Sequence, residues 1–257
     1  MIPEAARPTL MVSVVLPAKD EAGNIAALLA EISSAMTAIA HEIIVVDDGS
    51  TDATAAAVLG VAAQNPTVRL LRHGTSCGQS AAIRSGVTAA RGRIIATLDA
   101  DGQNPPAELP HLVAPFLEPG ANPRLGLVQG QRLRRQDTLA KRLASRAANA
   151  IRGGLLRDGV RDSGCGLKAF PRDTYLALAY FDHIHRFMGA MVKREGYEVM
   201  VIDVRHRERG SGQSKYNNFN RAMVGIVDLL GVAWLARRRK LPGSVHETLA
   251  AGVHSEP

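Results

Sequence analysis

Short apolar runs alternate with helix-spaced stretches through the first half of the chain. The run at 11–16 (MVSVVL) is continuous, as in a strand buried on both faces. Behind it, Ile25, Leu28, Leu29, Ile32, Met36 and Ile39 recur at the period of a helix and predict one over 24–40. The alternation continues with strands at 42–46, 68–71, 94–98 and 125–129. Helices are predicted at 51–64, with Ser50 or Thr51 as N-cap, at 79–90, and at 106–117, opened by Pro106. A β-α repeat of this kind predicts a parallel sheet covered on both faces.

After residue 130 the rhythm changes. The pattern predicts a basic helix over 138–152, a loop over 153–166 and a short strand at 167–170. Helices near 173–179 and 183–195 follow, then a strand at 197–204, a polar loop at 205–216 and a long helix at 218–239. On that last helix Met223, Ile226, Val227, Leu230 and Trp234 share a face, and Arg237-Arg238-Arg239-Lys240 follows. An apolar stripe beside a cationic end suits a helix lying in an anionic membrane interface, here through residues 222–240. A core-packing helix, or one joining a homo-oligomer, has the same pattern. No internal repeat is present. One domain is expected over 1–240, with a first half at 11–130, a second at 131–217, the interfacial helix at 218–239 and a mobile tail at 241–257.

Composition narrows the classes. With 257 residues, 46% of them hydrophobic, the chain can bury a full α/β core. Its two cysteines, Cys77 and Cys165, exclude a disulfide scaffold and suit a reducing compartment. Only 4% of residues are aromatic, against a stacking platform for single-stranded nucleic acid. The first ten residues, with Pro3, Glu4, Arg7 and Pro8, do not read as a secretory leader. The longest apolar candidate, 222–236, contains Asp228 and falls short of the ~20 residues of a spanning helix. A cytoplasmic protein, peripheral on the inner face of the cell membrane, is expected. Net charge is +7 and unevenly spread: −5 over 1–123 and +12 over 124–257. The basic half should meet an anionic partner. Its basic residues are interleaved with glycine loops and match no DNA-binding motif, so no nucleic acid is expected.

In an open parallel sheet, ligands bind where strands end at their carboxyl side. The residues after the predicted strands are polar: Pro17-Ala18-Lys19-Asp20-Glu21, Asp47-Asp48-Gly49-Ser50, Asp99-Ala100-Asp101-Gly102-Gln103 and Gly130-Gln131-Arg132. Each is compatible with a turn taken alone. Together on one edge they read as a site. Asp99 and Asp101, two apart in extended chain, face the same way. With the Gln103 oxygen they suit a hard divalent ion, Mg²⁺ or Mn²⁺, bound to a diphosphate.

These residues resemble a family. VVLPAKDEAGNI at 14–25, VVDDGSTDAT at 45–54, GQSAAIRSGVTAARG at 78–92, TLDADGQNPP at 97–106 and DSGCGLKAF at 162–170 look like family 2 glycosyltransferases of the GT-A type. With RERGSGQSKYNNFNRAMVG at 207–225, the order resembles the polyprenyl-phosphate glycosyltransferase branch, which includes dolichol-phosphate mannose synthases and undecaprenyl-phosphate sugar transferases. Ala18-Lys19-Asp20 departs from the Thr-Tyr-Asn of many relatives, and Gly102 from a frequent Leu. The resemblance implies an α/β, Rossmann-like GT-A fold with a mostly parallel sheet, helices on both faces and a C-terminal amphipathic helix. It implies an inverting transfer of sugar from a nucleotide-sugar donor to a polyprenyl phosphate. By position it gives Pro17, Glu21 and Asp48 to the nucleoside, and Asp99, Asp101 and Gln103 to metal and diphosphate. It gives Arg132 to phosphate, Ser163 and Gly164 to the acceptor side, and Arg209, Ser214 and Lys215 to a basic loop over the phosphates. Asp101, Arg132, Arg209 and Lys215 are thus the candidate catalytic residues.

Two alternatives stand beside this reading: a saccharide or small-molecule acceptor, and a non-catalytic module that binds nucleotide or membrane. A dinucleotide-dependent dehydrogenase is disfavoured, since no Gly-x-Gly-x-x-Gly follows the first strand. His183 and His185, near an aromatic cluster, read as packing or surface residues, and no histidine metal site is expected.

Overall fold

The structure is a computed structural model that describes residues 10–132, 152–207 and 218–239, with side chains of the last helix described from 225. Arg209, Ser214 and Lys215, the 241–257 tail and all but the end of the helix expected over 138–152 lie outside these residues. Seven strands form one sheet in the order β3-β2-β1-β4-β6-β5-β7. They are β1 (Val12–Ala18), β2 (His41–Asp47), β3 (Val68–Arg72), β4 (Ile94–Thr97), β5 (Leu125–Arg132), β6 (Lys168–Pro171) and β7 (Glu198–Val204). The helices are α1 (Ile25–Ala35), α2 (Thr54–Ala62), α3 (Gln79–Ala89), α4 (Leu109–Leu117), α5 (Arg172–Ala177), α6 (Met188–Arg194) and α7 (Asn218–Arg237).

The sheet separates two apolar layers because successive strand residues point to opposite faces. From β1, Val14 and Leu16 pack with Leu28, Leu29 and Ile32 of α1. Val15 points the other way, into Ala82, Ile83 and Val87 of α3. All three β1 side chains are fully buried, each contributing roughly 1.5–3 kcal/mol. α3 lies close because Gly86 carries no side chain: a Cβ there would enter the space of Val15.

The sheet is mostly parallel, with one reversal. β6 runs antiparallel to both β4 and β5 and sits between them. Its first residue, Lys168, therefore lies beside the carboxyl-side end of β5, so β6 enters the sheet from the side on which β5 leaves it.

Several boundaries differ from expectation for local reasons. α2 starts at Thr54, not 51, because the proposed caps are used elsewhere. Ser50 Oγ accepts the Asp20 N–H at 2.9 Å, and the Thr51 hydroxyl donates to Asp20 Oδ1 at 3.3 Å. Asp52 Oδ1 instead accepts the Thr54 N–H at 2.9 Å. The helix expected over 24–40 stops at Ala35, and the one over 106–117 begins as a 3₁₀ turn at Pro106–Glu108. The helix expected over 183–195 is split: His183 has φ 63°, a 3₁₀ turn follows at Ile184–Arg186, and α6 starts at Met188. Residues 153–156, expected in a loop, are helical, in continuation of Arg152. Gly153 O accepts the Arg157 N–H, and Arg152 pairs with Asp158 just beyond, which holds this turn despite its two glycines.

α7 is amphipathic in an inverted sense. Val232 and Ala233 are buried, and Leu229 and Leu235 pack against the core. Ile226, Val227, Leu230 and Trp234 are 53%, 66%, 61% and 59% exposed. No described helix is long and apolar enough to cross a membrane.

Candidate active site

The carboxyl-side ends of β1, β2, β4 and β5 open on one cavity of about 600 Å³. Pro17, Glu21, Asp48, Asp99, Asp101, Gln103, Arg132 and Gly164 all line it. Ser163 does not, although it adjoins Gly164. So eight of the nine described candidates converge, from five separate stretches of chain.

Asp48 does something more specific than face a ligand. Its Oδ1 accepts from His73 Nδ1 at 2.7 Å and Cys77 N–H at 2.8 Å. Its Oδ2 accepts from the Ser76 hydroxyl at 2.8 Å and Gly78 N–H at 2.9 Å. Burial pushes this carboxyl up, but the four hydrogen bonds outweigh it and hold the pKa at about 2. Asp48, His73 and Cys77 place possible ligand atoms within 4.8 Å of one another. However, both Asp48 oxygens are committed, and His73 Nε2 is bonded to Ser85 at 2.9 Å. The cluster is a nest that shapes the 73–78 loop.

The acidic rim is held from several sides. Gln79 Nε2 donates to Asp99 Oδ1 at 2.7 Å, and Asn104 Nδ2 reaches Oδ2 at 3.5 Å. A Cβ on Gly166 would lie 2.5 Å from Asp99 Cγ, so only glycine admits the carboxylate there. The Gly166 carbonyl is fixed in turn by the Thr97 hydroxyl at 2.8 Å. Burial and the nearby Asp101 charge push the Asp99 carboxyl up, against the pull of Lys168, Arg132 and Gln79. Asp101 Oδ1 accepts the Gln103 N–H at 3.1 Å, closing the turn, and Gln103 O accepts the Arg207 N–H at 2.9 Å. An oxygen-rich set with one carboxyl raised by its neighbour's charge fits a divalent cation.

Cationic side chains line the same cavity, near enough to Asp99 to act on its charge. Arg132 is not a lone cation: its Nε and Nη2 donate to Asp162 at 2.6 and 2.7 Å. That hydrogen bonding raises its pKa further, so it stays charged. Lys168 is buried on β6 and donates to the Cys165 carbonyl. Burial pushes its ammonium down.

Sequence reasoning missed Gln79, Lys168, His185 and Arg186, all of which line the cavity. The lysine in the apolar run Leu167-Lys168-Ala169-Phe170 was the available signal. His185, read as packing, lies at the cavity. His183 bonds Asp228 of α7 at 2.9 Å.

Comparisons with known proteins agree with this geometry. The family described as Glycosyl transferase family 2 matches residues 13–176. The chain is 32% identical over 251 residues to dodecaprenyl-phosphate galacturonate synthase of Rhizobium johnstonii, covering 95% of this chain and 73% of that one. It is 34% identical over 223 residues to undecaprenyl-phosphate 4-deoxy-4-formamido-L-arabinose transferase of Photorhabdus laumondii, covering 85% and 66%. It thus spans about two thirds to three quarters of the length of these relatives. Among solved structures, glucosyl-3-phosphoglycerate synthase of Mycobacterium tuberculosis, with Mn²⁺, UDP and glucosyl-3-phosphoglycerate, superposes with a TM-score of 0.66 at 18% identity, covering 88% of this chain and 80% of that one. That likeness shows the GT-A fold. With the family match spanning 13–176 and a relative at 32% identity over nearly the whole chain, the protein belongs to glycosyltransferase family 2.

Proposed function

We propose that the chain transfers a sugar from a nucleotide-sugar donor to a polyprenyl phosphate, by one inverting displacement. The observation that carries this reading is a single cavity with an acidic rim at Asp99, Asp101 and Gln103 and a cationic wall at Arg132 and Lys168. A nucleotide sugar needs the first for its diphosphate, and an anionic acceptor needs the second. The names of the two curated relatives support the lipid acceptor.

A phosphate oxygen of the acceptor bonds to the anomeric carbon while the bond from that carbon to the diphosphate oxygen breaks. The electron pair leaves with the nucleoside diphosphate. A phosphate monoester is largely ionised at neutral pH, so the attacking oxygen carries no proton to remove. The cavity therefore needs to position the acceptor more than to supply a base. Asp99, Asp101 and Gln103 would hold Mg²⁺ or Mn²⁺, which would supply Lewis-acid neutralisation of the departing diphosphate. Arg132, locked by Asp162, offers a fixed cationic edge where negative charge grows. Arg209, Ser214 and Lys215 belong to the same proposal as a basic loop over the phosphates.

The exposed face of α7 extends the reading to an anionic bilayer, at the inner face of the cell membrane. Four large apolar side chains are outward, Arg237 to Arg239 follow, and Arg238 lies 5.4 Å from the Trp234 ring centroid. A second copy of the chain is the competing occupant of this face.

The test is a panel of nucleotide sugars, with Mg²⁺ or Mn²⁺ and a short polyprenyl phosphate, scored for labelled lipid. Label in the lipid with one donor is expected. Transfer to water-soluble acceptors alone overturns the lipid assignment.

A further inference from the structure

His185 sits at the cavity in an arrangement that fixes where its proton lies. Its Nδ1 is 2.7 Å from the Ser80 hydroxyl. Ser80 is fully buried in the first turn of α3, and His185 is its only side-chain hydrogen-bond partner among the described residues. A buried hydroxyl proton needs an acceptor. Among the described residues, the one at hydrogen-bond distance is His185 Nδ1. The ring proton of the neutral imidazole is thereby assigned to Nε2. No described residue bonds Nε2, and it is not among the buried polar atoms lacking a partner. With Nδ1 turned to Ser80, which does not line the cavity, Nε2 is the ring nitrogen left for a ligand there.

We propose that His185 is a substrate-contacting residue whose Nε2–H donates to an oxygen of the donor's diphosphate, with Ser80 as the positioning residue that sets the tautomer. Two observations aim it at the diphosphate. Ser80 follows Gln79, which holds Asp99, so one helical turn fixes both the acidic rim and the imidazole. Lys168 and Arg186 stand near the ring, making this corner favourable to an anion. Burial, with the charges of Lys168 and Arg186, holds the imidazole pKa down at about 3, so the ring stays neutral at physiological pH. With Nδ1 occupied and Nε2 protonated, the ring is a hydrogen-bond donor and not a base.

The inference rests on the nucleotide-sugar reading above, and its test separates the two. Binding of UDP and of GDP, each with Mn²⁺, is measured by calorimetry for wild type, His185→Gln, His185→Phe and Ser80→Ala. The melting temperature of each variant is recorded as a fold control. Glutamine places an amide N–H near the Nε2 position, whereas phenylalanine keeps the ring shape without a donor. His185→Phe is expected to bind the preferred nucleotide about tenfold more weakly, the effect of one lost hydrogen bond to a charged group. His185→Gln is expected to stay within about threefold of wild type, and Ser80→Ala to fall between them. Equal binding by wild type and His185→Phe overturns the inference and leaves the donor reading intact. Failure of wild type to bind either nucleotide overturns both. In turnover, an acidic pH limb present in wild type and missing from His185→Phe overturns the donor role in favour of a base.

Discussion

Gln79 Nε2 donates to Asp99 Oδ1 at 2.7 Å, across from the first turn of α3 to the end of β4. An amide donor fixes the carboxylate and favours its ionised form. Gln79→Ala should therefore keep the fold and raise the Mn²⁺ concentration for half-maximal activity by about tenfold. A metal titration of activity, run beside thermal melts, checks this. An unchanged midpoint would make Gln79 a packing residue only.

Gly166→Ala should be far more damaging than its single methyl suggests. The new Cβ would lie 2.5 Å from Asp99 Cγ and 2.7 Å from Oδ1, so the carboxylate must leave its position. We expect a stability loss of about 1–3 kcal/mol from overpacking, with activity reduced at least a hundredfold. Denaturant melts and turnover of the same preparation measure the two effects.

Arg132 and Asp162 form a mostly buried bidentate pair, with 15% and 12% of their side chains exposed. Arg132→Met strands the carboxylate and should cost about 3 kcal/mol. The double change Arg132→Met with Asp162→Leu should recover most of that stability without recovering activity. If the double variant turns over normally, Arg132 has no role in the chemistry.

Much of this arrangement was legible in the residues. The alternation of 11–16 with the 25–39 helix pattern located β1 and α1, and the polar residues following the strands located the cavity. The motif at 97–106 placed Asp99, Asp101 and Gln103 on one rim. The β6 reversal was not legible, because a four-residue apolar run carries no direction. The Asp162 partner of Arg132 was not legible either, since the pairing spans 30 residues. Asp48 shows a subtler limit. Its motif marks it as a site residue, yet four short-range donors from the 73–78 loop claim its oxygens, and nothing in the Asp-Asp-Gly spacing announces them.

Acid should loosen the cavity at Asp48. The Asp48 carboxyl is held at about 2 against a usual 3.8. A folded-state value below the unfolded one adds stability that is fully present above about pH 4 and is lost as pH falls towards 2, about 2 kcal/mol in all. Asp48→Asn should lower stability at pH 7 by an amount of that order and flatten the acid limb between pH 4 and 2. Urea melts across that range test it, and parallel limbs for both proteins would contradict it.

The chain has one tryptophan, Trp234, on the outward face of α7 and 59% exposed. Its fluorescence should shift to the blue on adding vesicles rich in anionic lipid, and much less with neutral vesicles or at high salt. A concentration-dependent shift without lipid would identify a second copy of the chain as the occupant.

The reversal at β6 has a further consequence. Because β6 runs antiparallel to β5, the chain leaves the sheet at Arg132 and re-enters it at Lys168 on the same side, where Arg132, Gly164 and Lys168 line the cavity. The number of residues between those two ends is not set by strand register. A change of length there leaves the pairings of β6 with β4 and β5 in place, and with them the strand ends that carry Asp99 and Arg132.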